Sequence, residues 1–429
     1  MKTPAAVQEW LKSEAIPLPP LDGAGAWPGE VVRWLPALNG VRVVGLGEAT
    51  HGTREFFQLK HHLLAMLVRE GFTTFAMEAS TSAAPAVDAY IRDGVGTAAE
   101  VVSGLGFWTW RTEEIVAMVE WMRAYNRDRP DAEKLRFAGI DPQRCAPSVR
   151  YVTDFLLSAR WLDEAQRSEA ARYASAIAPL ADVQPGTLPD RELFTVTEEL
   201  TRFLSSQALD QVDLTVVHKH VRILRENADV ASRPPQAEDA TRTAFAARDR
   251  YMADAVTELL DADLAAKVVL WAHNGHLTPN ANGMPAMGSH LRERLGQAYY
   301  VLGLVFGGGT FRAKRSAPWP LPHRWFVGRN LGVVSIPPAT MNLEHILAKA
   351  NPHDHLVNLR AAKLPAEVRD WLQASQWMRS YGAVVPRVGS TFYFTATVLA
   401  DDFDGLAYIA HSTPSRAIAE SGPTVDEQR

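Results

Sequence analysis

One cysteine, Cys145, occurs in 429 residues. No internal disulfide can form, so an apolar core must hold the fold, and the lone thiol reads as a small buried side chain in a reducing compartment. Runs of about 18 apolar residues, the length a membrane-spanning helix needs, are missing. The amino terminus, MKTPAAVQEWLKSEAIP, places charges where a secretory signal needs an apolar stretch. These absences predict a cytoplasmic protein with no membrane partner. No Lys/Arg run interrupts a balance of 44 basic and 49 acidic residues, so a nucleic-acid partner is not expected. Repeats and low-complexity tracts are also lacking.

Several catalytic signatures are absent as well. Without a GxSxG elbow, and with the single cysteine outside any motif, covalent catalysis by Ser or Cys has no support. Gly45 to Thr50 approximates the dinucleotide fingerprint but has Thr for its third glycine and Glu48 where a pyrophosphate would approach. Gly47 to Thr53 has the spacing of a phosphate loop without its lysine.

What is present is a 47% hydrophobic chain with short apolar runs spaced by helical patterns. Val41 to Leu46, Phe72 to Met77, Leu135 to Ile140, Val268 to Ala272 and Tyr299 to Phe306 read as strands buried on both faces. Glu55 to Arg69 reads as a helix, and so does the stretch with Ile115, Met118, Val119, Met122 and Tyr125 on one face. The alternation predicts an α/β fold, a largely parallel open sheet flanked by helices. From Pro147 to Ala262 only helical patterning continues. The expected organisation is therefore an α/β core in two parts, 1–146 and 263–412, with a helical insertion at 147–262 forming one wall of a cleft. Trp319 to Arg360 suggests loops with short strands, Thr391 to Leu399 an edge strand, and 413–429 a polar, disordered tail.

Ligands of open α/β sheets bind beyond the carboxyl ends of the strands. There the first run delivers Glu48 and His51, the second Glu78, the third Asp141, and the fourth His273 and His276. Surface charge has no reason to track strand ends, so the pattern points to chemistry. A histidine, with an ordinary pKa of about 6.5, can deprotonate water near neutral pH, and a neighbouring carboxylate fixes its tautomer. His51 is the candidate base, Glu48 and Glu78 its support, and His273 and His276 donors to an oxyanion or a leaving alkoxide. Gly47, Gly52 and Gly275 would let backbone approach the ligand. Three histidines with two or three carboxylates would also suit zinc or manganese, yet no HExxH or cysteine ligand is present. The simpler expectation is activated water with no cofactor. Trp108, Trp110 and Arg111 are candidate cleft residues, Asp141 and Gln143 candidate orienting or capping residues, and His61 and His62 lesser candidates on the first helix.

The stretches VVGLGEATHGTREFFQLKHHLLAMLVREGFTTFAMEAS, WRTEEIVAMVEWMRAYN, FAGIDPQ, VVLWAHNGH, MGSHLRERLGQAYYVLGLVFGGGTF and FDGLAYI together resemble the erythromycin esterase family, collinearly over nearly the whole chain. The resemblance implies hydrolysis of the lactone ester of 14-membered macrolides. It puts the general base at His51, accompanying glutamates at Glu48 and Glu78, and a functional histidine at His273. Lys60 falls where some relatives have an arginine, which keeps the charge without the planar fork. Two other readings stay open: an esterase of the same family acting on a different ester, and a small-molecule or metal-binding protein without catalysis.

Overall fold

A computed structural model of the chain describes residues 3–22, 29–188, 190–207, 211–281, 283–316, 331–360, 363–386 and 389–419. Part of the expected loop region, 319–330, and the tail beyond residue 419 lie outside them.

Eight strands form the main sheet: β1 (Ile16–Pro17), β2 (Val43–Leu46), β3 (Thr74–Ser80), β4 (Arg136–Asp141), β5 (Val268–Trp271), β6 (Tyr299–Phe306), β7 (His355–Asn358) and β8 (Gly405–Ile409). Their order is β1-β7-β8-β6-β2-β5-β3-β4. The six strands from β8 to β4 run parallel, and β7 pairs antiparallel with both β8 and β1. The central strands β2, β5 and β6 are apolar throughout because both faces are covered. Val44, Leu46, Val269 and Trp271 enter one apolar cluster, while Val43, Val268 and Leu270 enter the other, as the two-residue period of a strand requires. The α/β fold with a mostly parallel sheet is as the sequence predicts.

Register decides where the chemistry falls. Leu46 and Met77 each lie opposite Trp271, so β2 and β5 end in one row and β3 runs three residues beyond it. Glu48, Glu78 and His273 sit one or two residues past that row.

Helix α1 (Arg54–Arg69) follows β2 and buries Phe56, Phe57, Leu59, Leu63, Leu64 and Leu67. Lys60 lies on that same apolar stripe. Helix α2 (Glu113–Asn126) starts at Thr112, whose hydroxyl accepts from Ile115 N. Between Ala146 and Ala262 come the helices Ala146–Leu157, Glu164–Ile177, Glu192–Ser205, Gln211–Ser232 and, last, α3 (Ala244–Ala262). They fall into two main packing groups, with a small cluster of Val230, Ala244 and Ala247 between them. Side chains from Cys145 to Ala228 share a core of their own, whereas Met252, Ala253, Val256 and Leu260 of α3 pack with the sheet. Cys145 is buried in the first group, and burial pushes its thiol up to about 12.

Thr391 to Leu399, expected as an edge strand, contains Phe394–Val398, which pairs antiparallel with Ser375–Arg379 in a separate two-stranded ladder. The tail differs from expectation at its start. Thr413 N donates to Glu55 (2.7 Å), Arg54 N to the Thr413 carbonyl (2.9 Å), Ser415 N to the Gly52 carbonyl (2.9 Å) and Glu113 N to the Arg416 carbonyl (2.8 Å). Its polar composition hid this, because the segment is held through backbone groups. No helix among the described residues is long and apolar enough to cross a membrane.

Candidate active site

Glu48 is fully buried and accepts three hydrogen bonds. His51 Nδ1 lies 2.7 Å from Oε1, while Lys60 Nζ (2.6 Å) and Trp271 Nε1 (3.0 Å) both donate to Oε2. Facing an acceptor, a neutral His51 ring carries its proton on Nδ1, and its Nε2 has no hydrogen-bond partner among the described residues. Trp110 meets the His51 ring edge-on at 5.9 Å and donates its own N–H to the Glu78 carbonyl, so it fixes the imidazole by packing. Lys60 is buried behind Glu48 with its ammonium 4.1 Å from the Trp271 ring centre. Burial lowers it to about 8 against the opposing pull of Glu48. With its ammonium engaged by Glu48 and set over the Trp271 ring, Lys60 holds Glu48 in place.

The second half of the site is a charged network. Glu78 Oε1 takes Arg248 Nη2 at 2.7 Å and faces His276 Nε2 at 3.2 Å, while Oε2 accepts from His273 N at 2.9 Å. Burial would raise the Glu78 carboxyl, but the charges of His276 and Arg248 outweigh it and hold it well below the usual carboxylate range. Asp141 receives Arg248 Nε (3.2 Å) and Nη2 (2.8 Å), together with Gln143 N (3.1 Å). Asp249, fully buried, lies 2.8 and 2.9 Å from His276 Nδ1 and accepts from Met287 N. His276 Nε2 also stands 3.0 Å from Arg248 Nη1, a contact that would need a neutral ring. Carboxylates on both ring nitrogens decide for the imidazolium: burial opposes the charge, yet Asp249 and Glu78 raise His276 to about 10.

His273 is the opposite case. Its Nδ1 accepts from Gly275 N at 3.1 Å at the start of the Asn274–Leu277 turn, so the proton of the neutral ring sits on Nε2. Burial, then His51 and His276, hold the ring well below the ordinary histidine value. Buried Nε2 has no hydrogen-bond partner among the described residues, and the His51 and His273 ring centres are 5.1 Å apart. The Ala49 carbonyl favours a proton on this ring without reaching hydrogen-bond geometry. A neutral imidazole with an unused N–H beside an imidazole with an unused lone pair can polarise a carbonyl and activate water at once.

Glu48, His51, Glu78, His273, His276, Asp141, Lys60 and Trp110 thus come together. Arg111 makes no hydrogen bond or ion pair to the cluster among the described residues; its carbonyl accepts from Ile418 N. Trp108 lies under the Arg312 guanidinium. His61 and His62 are on the opposite face of α1, lining a cavity of about 530 Å³ with Trp121. At Gly47 and Gly52 the space is taken by protein, since a Cβ at Gly47 would collide with Asn274 Oδ1 and one at Gly52 with the Arg312 carbonyl, whereas a Cβ at Gly275 would make only ordinary contacts. No group of three or more His, Cys, Asp or Glu side chains among the described residues is arranged to hold a metal ion.

Sequence reasoning missed Arg248 and Asp249. The available signal was Asp249 on the apolar stripe of α3, one helical turn before Met252 and Ala253. It also missed Trp271, a strand residue read only as core.

Residues 67–412 match the family model described as erythromycin esterase. The chain belongs to the erythromycin esterase family. It is 27% identical over 326 residues to erythromycin esterase type II of Escherichia coli, covering 70% of this chain and 76% of that one. Two solved structures share the fold. A protein described as a succinoglycan biosynthesis protein superposes with a TM-score of 0.75 at 22% identity, covering 96% of this chain and 98% of that one. An erythromycin esterase mutant in its open conformation gives 0.66 at 18%, covering 91% and 95%. Membership in the family supports hydrolase chemistry on a small-molecule substrate.

Proposed function

We propose that the protein is a carboxylic ester hydrolase that opens the lactone of 14-membered macrolides such as erythromycin. The observation that carries the reading is the pairing of His51, oriented by Glu48, with a neutral His273 whose Nε2–H is unused 5.1 Å away between ring centres. His51 Nε2 takes a proton from water as the hydroxide attacks the ester carbon. Glu48 stabilises the resulting imidazolium, and His273 Nε2–H donates to the oxyanion. Collapse of the tetrahedral intermediate breaks the bond to the alcohol oxygen, which receives the proton from His51. The product is a ring-opened hydroxy acid, one water heavier. Acting in the cytoplasm, such an enzyme would inactivate the antibiotic and protect its host.

Mass spectrometry after incubation with a macrolide panel is the test. A gain of one water, lost by about 10²- to 10⁴-fold in a folded His51→Gln variant, is the expected result. Near-wild-type hydrolysis by that variant would overturn the base assignment. Unchanged macrolides with turnover of other esters would reassign the substrate, and retention of drug without turnover would make the protein a binder.

A further inference from the structure

We propose that Arg248 and Asp249, adjacent on α3, are positioning residues for this reaction: through His276 and Glu78 they hold His273, the donor to the oxyanion, in its place. The inference rests on the hydrolase reading for what His273 does, and on geometry alone for the connection.

Neighbouring residues on a helix project about 100° apart, so a buried Asp249 beside a partly buried Arg248 is not a by-product of one apolar face. Burial costs each of them hydration, which only close opposite charge offsets. Their contacts with His276 and Glu78 lie on a line to His273. Asp249 sits against His276 Nδ1, and the far side of that ring faces Glu78 Oε1. Arg248 bridges Glu78 Oε1 and Asp141. With Oε1 engaged by both cations, Oε2 is turned to His273 N, at the point where the chain leaves β5. One residue pair later, Gly275 N fixes the His273 ring. The groups facing His276 are therefore Asp249 and Arg248 from α3, Glu78 from β3, and His273 from its own turn, with the Phe245 ring stacked on it 5.2 Å away. An apolar pair could fill the same volume; it could not orient Glu78.

The test uses the full-length protein labelled with nitrogen-15 and reads the histidine rings by NMR, alongside hydrolysis of p-nitrophenyl acetate and erythromycin. In the wild type, His276 stays doubly protonated up to about pH 10 and His273 keeps its proton on Nε2. In Asp249→Asn, His276 should lose its charge near neutral pH, the His273 tautomer should become mixed, and kcat should fall about 100-fold with little change in KM, the size of effect expected from small misplacement of a catalytic group. Arg248→Lys, which keeps the charge but loses the fork, should give a smaller fall in kcat and serves if Asp249→Asn does not fold. A folded variant with unchanged ring titration, tautomer and kcat would overturn the proposal. If the wild type turns over no ester, the hydrolase reading fails by itself, and the ring spectra still decide the connection.

Discussion

Lys60 illustrates how a residue changes meaning with its surroundings. In the sequence it is one more cation near a catalytic motif; in the fold it is sealed behind Glu48 and Trp271. Removing one member of such a buried pair strands the other, at a cost of about 3–5 kcal/mol. Lys60→Met is expected to lower stability by that order in urea unfolding and to reduce hydrolysis with it; a variant as stable as wild type would contradict the pairing. His276 gives a pH prediction. Its folded value is raised to about 10, so its stabilising contribution is complete below the ordinary 6.5 and fades as pH rises toward 10. Lys60 acts in the other direction, since its burial penalty is relieved only above about 8. Glu226 and Glu344, both raised to about 7 by burial, add to the fall up to that pH, so the interval from about 7 to 8 reports chiefly the histidine. Urea midpoints should fall across that interval in the wild type and stay flatter in His276→Gln. The strand-end residues were readable because an ionisable side chain after an apolar run stands out. Arg248 and Asp249 were not, because their partners lie far away in the chain and a charged pair on a helix ordinarily means a solvated face.

Among the elements, strands were the most readable, since β2, β5 and β6 are apolar on both faces. Their neighbours were not, because nothing in an apolar run names the strand beside it. The segment Thr413 to Ile418 was misread for a related reason: its hold on the fold is mostly main chain. It bonds to Gly52 and Arg54 beside His51, and to Arg111, Glu113 and Glu114 at the start of α2. It thereby ties the turn carrying His51 to the helix beside it. A chain ended at Ser412 is expected to melt at lower temperature and to lose kcat more than KM. Unchanged thermal melting and kinetics would show that the turn holds its shape unaided.

For the whole molecule, the cores suggest a boundary different from the one drawn on composition. The helices up to Ala228 share a core, whereas α3 packs with the sheet and brings Arg248 and Asp249 to Glu78 and His276. We propose that 147–243 is the exchangeable wall and that α3 belongs to the catalytic core. Exchanging 147–243 with a relative should shift substrate preference while hydrolysis persists. Exchanging 147–262 should abolish hydrolysis unless the donor supplies an equivalent Arg-Asp pair. Equal activity of both chimaeras, measured on the same esters, would refute the boundary.

The strand order also carries a consequence in time. β5 lies between β2 and β3, yet it is synthesised almost two hundred residues after β3. Until the ribosome has delivered Trp271, Glu48 lacks one of its three donors and the two strands have no neighbour to join them. Such distant pairing is slow to close and leaves apolar edges open meanwhile. The site is therefore incomplete until late in synthesis, and apolar strand edges stay open while the helical middle is being made.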